Sequence, residues 1–503
     1  MLAQALTASL LGVQGVLVRV EVDVSFGLPG VTIVGLAGSA IQEARERVRS
    51  AIRNAGFDVP SRRVTVNLAP ADLPKEGTSY DLAIAVAVLS ASGQLGPLPN
   101  DTALFGELAL DGRLQAVPGT MALVAAARDA GVSDVVVPAA VTEEAAAVGA
   151  LNVRPATSLG EVVRHLAGVA RLPVAHPPAT LANGNVRSAP DLSVVIGQRL
   201  ARRALEIAIA GRHSLALCGP PGVGKTLLMR CAPGLAPPLS DAESLEVSRI
   251  YSVAGLADRR RPVVRDRPFR APHHTISTQA LVGGGPRVRP GEASLAHRGM
   301  LFLDETLEFR ADALDALRQP LESGAVTIAR VDGVLELPAR FTLLAAFNPC
   351  SCGWLGSSSQ ACACDAIAVR RYAGRLSGPL RDRLDLFVSM APTHAYDRDG
   401  ELSEATPPVA SRIAGAWDRQ LRRQGTANSE IRPECLDERS GFSATTRSTL
   451  ATRARQLRLS TRRAHSIARV ARTIADLEAS DRVDPSHVDE AARYRSDPWA
   501  AAP

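Results

Sequence analysis

The stretch Ser214-Leu-Ala-Leu-Cys-Gly-Pro-Pro-Gly-Val-Gly-Lys-Thr226 decides the fold, because a short apolar strand in it runs directly into a glycine-rich loop. The loop matches the pattern G-x-x-x-x-G-K-[ST], and the segment Leu227 to Cys231 behind it is expected to be helical. In this order of strand, loop and helix, backbone N–H groups and the helix N-terminus surround a chain of phosphates. The expected nucleotide-binding residues are Gly219, Pro220, Pro221, Gly222, Val223, Gly224, Lys225 and Thr226.

Two residues of this loop carry specific chemistry. Lys225 is expected to reach the β and γ phosphates of ATP, and Thr226 is expected to hold Mg²⁺. Lysines and arginines number 57 together, but Lys75 and Lys225 are the only lysines. A lysine at the loop position that requires one is therefore an informative match.

Two further strands end in polar residues. Gly299-Met-Leu-Phe-Leu-Asp-Glu305 ends in two acids, of which Asp304 suits Mg²⁺ and Glu305 suits polarising the water that attacks ATP. Phe341 to Phe347 is followed by Asn348, which could orient the same water. The pattern predicts one hydrolytic site, with Glu305 and Asn348 catalytic and with Thr226 and Asp304 as magnesium ligands.

The composition is that of a globular protein. Of 503 residues, 46% are hydrophobic and 21% charged, which excludes wholesale disorder. The longest apolar run, Leu82 to Leu89, is far shorter than the roughly 18 residues that cross a bilayer. The first eighteen residues lack the basic start of a signal peptide and lead into the alternation Val16 to Val24, typical of a strand. We expect a cytoplasmic protein without membrane contact.

The chain is expected to have an α/β fold in several units. Strands alternate with helices on both sides of an unpatterned, proline-containing stretch from Leu172 to Asn185, and the end of the chain reads as helical. In that last part, Ser460 opens one helix and Asp484-Pro485 caps another. The expected units are an α/β domain at 1–170, a linker at 171–190, a P-loop core with a parallel sheet at 191–392, and a C-terminal helical lid at 393–503.

Five long strings in the core carry a resemblance to a known family. They are Pro268-Phe-Arg-Ala-Pro-His-His-Thr275, Arg289-Pro-Gly-Glu-Ala-Ser-Leu-Ala-His297, Leu317-Arg-Gln-Pro-Leu-Glu322, Asn348-Pro-Cys350 and Leu376-Ser-Gly-Pro-Leu-Arg-Asp-Arg-Leu-Asp385. The chain resembles, over nearly its whole length, the ComM/YifB family of magnesium-chelatase-like AAA+ ATPases. The resemblance implies a hexameric ring that drives branch migration of DNA with ATP during recombination or natural transformation.

The resemblance also implies roles for individual residues. Asn348 would be sensor 1, Arg383 the arginine finger that reaches the ATP of a neighbouring subunit, and Arg462 the sensor 2 residue of the lid, bound to nucleotide. Arg381 competes with Arg383 for the finger role. From physical chemistry alone, an arginine after the last core strand is more often a surface charge.

The first 170 residues resemble the proteolytic domain of Lon. The resemblance is carried by Ala69-Pro-Ala-Asp-Leu-Pro-Lys-Glu-Gly-Thr-Ser-Tyr-Asp81 and Phe105-Gly-Glu-Leu-Ala-Leu-Asp-Gly-Arg113. Ser79 falls where the Lon nucleophile would be, but Met121 occupies the lysine position, and a thioether cannot act as a base. We therefore expect no peptidase activity and interpret this Lon-protease-like domain as a scaffold or partner-binding module.

Four of the seven cysteines form two C-x-C pairs, Cys350 with Cys352 and Cys362 with Cys364, nine residues apart. Four thiolates around one ion favour tetrahedral Zn²⁺, and the alternative is a flexible loop of four reduced thiols. His273 and His274 are either additional ligands or, more simply, a solvent-facing or hydrogen-bonded pair.

Three features suggest contact with branched or single-stranded DNA. Arginines cluster at 259–270, near the glycines 283–285, and thirteen arginines against four acids lie between Arg419 and Arg472. Such runs are also typical of solvated helix faces. A predicted hairpin, 326–337, turns at Asp332-Gly333 and would carry Arg330 into the pore of a ring.

Two other functions stay open at this point. The AAA+ core alone is compatible with a magnesium-chelatase motor subunit that loads metal into a porphyrin, although a chain with its own Lon-like domain departs from that subunit. The third interpretation is an adaptor that uses ATP to remodel protein.

Overall fold

The computed structural model describes residues 1–35, 39–71, 73, 75, 77–176, 189–258, 261–285, 288–330, 333–392, 403–495 and 499. Most of the predicted linker and the turn residue Asp332 lie outside these ranges, as do Arg259, Arg260 and Arg287.

The N-terminal region is built on a mixed sheet of seven strands. In the sheet they follow the order β3-β4-β2-β1-β5-β8-β9, where β1, β2 and β4 pair antiparallel and the remaining pairs are parallel. The strands, with the small hairpin β6–β7, are β1 Leu2–Leu11, β2 Gln14–Ser25, β3 Gly30–Val34, β4 Arg63–Ala69, β5 Thr102–Leu104, β6 Glu107–Leu108, β7 Leu114–Gln115, β8 Asp134–Pro138 and β9 Asn152–Ala156.

Helices cover both faces of this sheet, because side chains alternate along each strand. The helices are α1 Ser39–Asn54, α2 Asp81–Ala91, α3 Thr120–Asp129, α4 Thr142–Ala146 and α5 Leu159–Leu166. Helix α2 is buried at every residue and packs on β1 and β2, and α3 packs on the same strands from the other face. The strand predicted at Val16 to Val24 is confirmed as part of β2, and the predicted alternation of strands and helices in this region is present.

The central region contains a parallel sheet of five strands in the order β11-β14-β17-β10-β18. Its strands are β10 Leu215–Cys218, β11 Phe269–Arg270, β14 Met300–Leu303, β17 Thr342–Phe347 and β18 Leu386–Ser389. Two small hairpins lie outside the sheet, β12 Gly283–Gly284 with β13 Arg289–Pro290, and β15 Ala325–Arg330 with β16 Gly333–Pro338.

The helices of the central region surround this sheet. They are α6 Arg199–Gly211, α7 Lys225–Arg230, α8 Ala232–Leu235, α9 Asp241–Val253, α10 Thr278–Val282, α11 Glu292–Leu295, α12 Ala311–Ala316, α13 Arg318–Ser323, α14 Ala366–Ala373 and α15 Gly378–Arg381. Because β10, β14 and β17 are adjacent and parallel, the residues that follow them meet at one edge of the sheet.

The C-terminal region is helical, as predicted. Its helices are α16 Thr406–Gln424, α17 Leu436–Ser440, α18 Ala444–Gln456, α19 Thr461–Leu477 and α20 Pro485–Arg493. Ser460 caps α19 by accepting from the N–H of Arg463, and Asp484 precedes α20. Helices α16 and α19 pack on α6, so that the C-terminal region shares one apolar core with the P-loop sheet.

The N-terminal region contacts the central region directly. The Gly119 N–H donates to the carbonyl of Ser252 at 3.1 Å, and the Ser252 hydroxyl donates to the carboxylate of Glu144. Val13, in the turn between β1 and β2, is buried in the same apolar cluster as Leu337 of β16. Across the described ranges, none of the helices combines the length and the apolarity that crossing a membrane would require.

Candidate active site

The predicted P-loop connects β10 to α7 in a conformation that requires glycine. Gly222 and Gly224 have φ of +81° and +90°, in the left-handed region that side chains rarely adopt. At Gly219, a Cβ atom would lie 2.6 Å from the carbonyl oxygen of Met390, so no larger residue fits. These glycines allow the backbone to curve around a bound group.

Lys225 folds back over its own loop. Its Nζ donates to the carbonyls of Gly219 at 2.6 Å and Pro220 at 2.8 Å, and to Oδ1 of Asn348 at 3.1 Å. Burial lowers the pKa of the Lys225 amine below its usual value. The amine therefore lies between the P-loop and the end of β17, where a phosphate could replace these neutral acceptors.

The two predicted magnesium ligands are in direct contact. Thr226 Oγ1 donates to Oδ2 of Asp304 at 2.9 Å, and the other carboxylate oxygen of Asp304 accepts from the N–H of Glu305 at 3.1 Å. A hydroxyl and a carboxylate side by side form the oxygen donor set that Mg²⁺ prefers, so these residues fit the ion.

Glu305 follows Asp304 in a left-handed conformation, with φ of +51°. Its side chain is 61% exposed, and Oε2 lies 3.5 Å from Nδ1 of His274. The rings of His273 and His274 lie next to each other, with their centres 4.1 Å apart and their planes tilted by 33°. The sequence had not linked His274 to Glu305, although His274 lies within the string Pro268–Thr275.

The structure brings Lys225, Thr226, Asp304, Glu305 and Asn348 together but places the two predicted arginines elsewhere. Arg383 Nη2 lies 2.5 Å from one carboxylate oxygen of Glu322, and Arg462 Nη1 lies 3.1 Å from the other. The hydrogen bond from Arg383 lowers the pKa of Glu322. The sequence did not single out Glu322 by itself, although this residue ends the string Leu317–Glu322.

These three side chains line a cavity of about 790 Å³ between the P-loop region and the helical region. Its wall carries six arginines, namely Arg212, Arg340, Arg383, Arg432, Arg462 and Arg469. None of the P-loop residues lines it. The competing residue Arg381 packs its guanidinium over the ring of Trp499, at 4.9 Å from the ring centre.

The four cysteine thiols converge. Their sulfur atoms all lie within 4.8 Å of one another, and three of the distances are 3.3 Å (Cys350 to Cys352), 3.5 Å (Cys352 to Cys362) and 3.7 Å (Cys350 to Cys362). Tetrahedral zinc with Zn–S bonds of about 2.3 Å needs sulfur atoms about 3.8 Å apart. In the described part of the chain, this cluster contains no histidine, so His273 and His274 are not additional ligands in this structure.

Backbone N–H groups point at two of these sulfur atoms. The N–H of Leu355 donates to the sulfur of Cys350, and the N–H of Cys364 donates to the sulfur of Cys362, both at 3.4 Å. Burial raises the pKa of the Cys350 thiol to about 12. At Cys352, burial acts in the same direction, but backbone N–H groups outweigh it and lower the pKa to about 6.

The Lon-like residues are engaged in other contacts. The Ser79 hydroxyl donates to the carbonyl of Ala8 at 3.1 Å, and the buried Lys75 amine donates to the carbonyl of Pro70. Met121 is the second residue of α3 and is fully buried in the apolar core, as its apolar side chain favours.

The predicted hairpin is present as β15 and β16, paired in register from Ala325 with Pro338 to Arg330 with Gly333. Arg330 donates to the carbonyl of Gly285, in the glycine-rich segment that also forms β12. A Cβ atom on Gly283 would lie 3.0 Å from Leu337 of β16. The glycine segment and the hairpin thus lie against each other.

The fold and the site define a P-loop nucleotide-binding protein with a helical C-terminal region. Residues 191–398 match the family described as "Magnesium chelatase, subunit ChlI", residues 403–495 match "Magnesium chelatase, subunit ChlI C-terminal", and residues 20–141 match "Subunit ChlI of Mg-chelatase".

Two relatives match almost end to end. The uncharacterized protein YifB of Escherichia coli (strain K12) is 42% identical over 499 residues, which cover 97% of this chain and 96% of YifB. The competence protein ComM of Haemophilus influenzae is 40% identical over 498 residues, which cover 97% of this chain and 96% of ComM. The chain therefore belongs to the magnesium-chelatase-like family of AAA+ ATPases that includes ComM and YifB.

A shorter similarity concerns the N-terminal region. Lon protease of Clostridioides difficile (strain 630) is 32% identical over 133 residues, which are 25% of this chain and 17% of Lon. This sequence similarity confirms the predicted resemblance of the N-terminal region to Lon.

Proposed function

We propose that this protein is a cytoplasmic, ATP-hydrolysing ring motor, a homohexamer, that moves branched DNA. The observation that carries the hydrolytic part is the convergence of Lys225, Thr226, Asp304 and Asn348 at the ends of three adjacent parallel strands. Those residues supply the cation, the magnesium ligands and the polar sensor that phosphoryl transfer to water needs.

In the proposed reaction, the backbone of the P-loop and Lys225 bind the phosphates of ATP. Mg²⁺, bound by Thr226 and Asp304, would neutralise charge on the β and γ phosphates. The side chain of Glu305 is exposed and lies against His274, and in the proposed reaction its carboxylate accepts a hydrogen bond from the attacking water. Asn348 already contacts Lys225 and could orient the same water.

The second half of the site is proposed to come from a neighbouring subunit. Arg383 and Arg462 share Glu322 and line a cavity that no P-loop residue enters, which favours their action on the nucleotide of another chain. The six arginines of the cavity wall outnumber its four acids, Glu322, Asp382, Asp385 and Glu430, and this excess of positive charge suits a triphosphate better than a neutral ligand. The cation–π contact of Arg381 with Trp499 favours Arg383 over Arg381 as the finger.

Two observations support the proposal that DNA is the substrate. One relative is named a competence protein, and the β15–β16 hairpin places Arg330 at its tip, beside the glycine segment. The hairpin lies between β14 and β17 in the chain, so it follows the strand that ends before Asp304 and precedes the first residue of the strand that ends before Asn348. We propose that Arg330 contacts DNA phosphates, without base specificity.

Other assignments accompany this proposal. We propose domain bounds at 1–170, 171–190, 191–392 and 393–503, and a scaffold role without peptidase activity for the first. A chelatase motor subunit remains the second candidate, favoured by the family names of all three matched regions. ATP turnover measured with and without branched DNA separates the two functions.

We further propose that Cys350, Cys352, Cys362 and Cys364 bind one Zn²⁺. The sulfur distances and the N–H groups that point at sulfur fit a tetrahedral thiolate site. Zinc lacks redox chemistry and would serve here to hold the two ends of one loop together.

A further inference from the structure

The cysteine loop, which we define as residues 350–364, lies directly against the P-loop. Gly353 follows Cys352 and has φ of +86°. A Cβ atom at Gly353 would lie 2.9 Å from Cδ and 3.0 Å from Cγ of Pro221, and 3.8 Å from the side-chain amide carbon of Asn348. The backbone of the loop thus touches one nucleotide-binding residue and approaches the sensor.

The start of this loop is fixed from several sides. Cys350 is fully buried, and its carbonyl accepts from the N–H of Gly353 at 3.0 Å. Trp499 stacks on Phe347 at 5.4 Å and donates to the carbonyl of Pro349 at 2.8 Å. The other end of the loop contacts the first cysteine pair through Cys362 and Cys364. We infer that this contact keeps the turn at Gly353 against Pro221.

We propose that the zinc ion bound by the four thiolates controls the affinity of the P-loop for ATP, by pressing Gly353 against Pro221. This inference rests on the proposed zinc and nucleotide sites. Without the ion, only weak contacts between sulfur atoms, at 3.3 to 3.7 Å, would connect the two cysteine pairs. The turn would then leave Pro221, and the P-loop would lose the contact that supports its shape from this side.

Two glycines of the same loop provide a matched test. Gly353 and Gly356 both have left-handed backbones, with φ of +86° and +72°, so alanine strains both alike. Only at Gly353 does the added methyl group meet Pro221, since nothing lies within 4 Å of a Cβ on Gly356. The variants Gly353→Ala and Gly356→Ala should each retain one zinc per chain by metal analysis.

The readout is the Kd for a fluorescent ATP analogue with Mg²⁺. We expect the Kd to rise about tenfold or more in Gly353→Ala, because displacements near 1 Å in a binding site are costly. In Gly356→Ala, the Kd should rise by less than about twofold. Equal affinity in the two zinc-loaded variants would overturn the inference. Loss of binding in both would do so as well, since backbone strain alone would then explain it.

A second arm removes the metal. The double variant Cys350→Ser with Cys352→Ser should lose zinc and bind the analogue at least about tenfold more weakly, whereas Cys435→Ser, outside the loop, should retain both zinc and affinity. Circular dichroism checks that the helices remain. A zinc-free double variant with unchanged affinity overturns the inference. Wild-type protein that binds the analogue but lacks metal overturns the zinc site, and wild-type protein that binds no nucleotide overturns the proposed function itself.

Discussion

At the scale of single residues, the proposed hydrolysis would depend on the position of Glu305. A glutamate with φ of +51° is in a conformation that costs about 1–3 kcal/mol for a residue other than glycine, and such conformations concentrate at active sites. The carboxylate of Glu305 lies against His274, whereas that of Asp304 contacts Thr226. In the proposed mechanism, Asp304 would therefore bind the metal ion and Glu305 would polarise the water.

Replacing Glu305 by Gln removes the base and leaves the phosphate-binding groups intact. We expect Glu305→Gln to bind ATP with a Kd within about twofold of wild type and to lose about 10²-fold or more in kcat, the usual contribution of a general base. Single-turnover ATP hydrolysis and binding of an ATP analogue measure the two effects.

Glu308→Gln is the matched control, because Glu308 lies on the same segment and pairs with Arg375 at 3.0 Å. It should hydrolyse ATP at the wild-type rate. Full turnover in Glu305→Gln would remove Glu305 from the mechanism.

At the scale of secondary structure, the sequence predicted those elements whose pattern is local. The strands β10, β14 and β17 are continuous apolar runs that end in functional residues, and each was found where expected. The strand β1 was not predicted as a separate element, because residues 2–11 have no clean alternation and are fixed by pairing with β2. The sharing of Glu322 by Arg383 and Arg462 joins distant positions, and no local pattern encodes it.

The β15–β16 hairpin is the element that we propose to contact DNA. We expect Arg330→Ala to reduce the slope of log affinity against log salt by about one, because one phosphate contact is lost, and to slow the movement of a four-way junction more than it weakens binding. Salt-dependent binding of junction DNA and a branch-migration assay with labelled strands measure these effects.

Two variants separate charge from the contact with Gly285. Arg330→Lys keeps the charge and should retain the salt slope, while the exposed, uncharged Thr327 on the same hairpin can be changed to Ala without effect. If Arg330→Ala moves junctions at the wild-type rate, Arg330 is not the DNA contact, and the arginines between 259 and 270 become the next candidates.

At the scale of the whole molecule, we propose that each chain contributes two half-sites. The P-loop side holds Lys225, and the cavity side holds Arg383 and Arg462 beside Glu322. A closed ring of identical chains would bring each cavity to the P-loop of a neighbour, so that every subunit completes the site of another.

Mixing inactive variants tests this sharing. Lys225→Ala should lose nucleotide binding, and Arg383→Ala should bind ATP and fail to hydrolyse it. In a mixture, some interfaces combine an intact Lys225 with an intact Arg383, so ATP turnover should partly return. No recovery at any mixing ratio, or normal hydrolysis by a monomer, would argue for a site within one chain.

The central claim, an ATP-driven motor on branched DNA, is tested most directly by the rate of ATP hydrolysis measured with and without a four-way DNA junction. The control reaction contains linear duplex of the same length, and Lys225→Ala gives the background. We expect ATP turnover to rise several-fold with the junction, more than with duplex. Lys225→Ala should show no rise. Turnover that is the same with junction, with duplex and without DNA would contradict it.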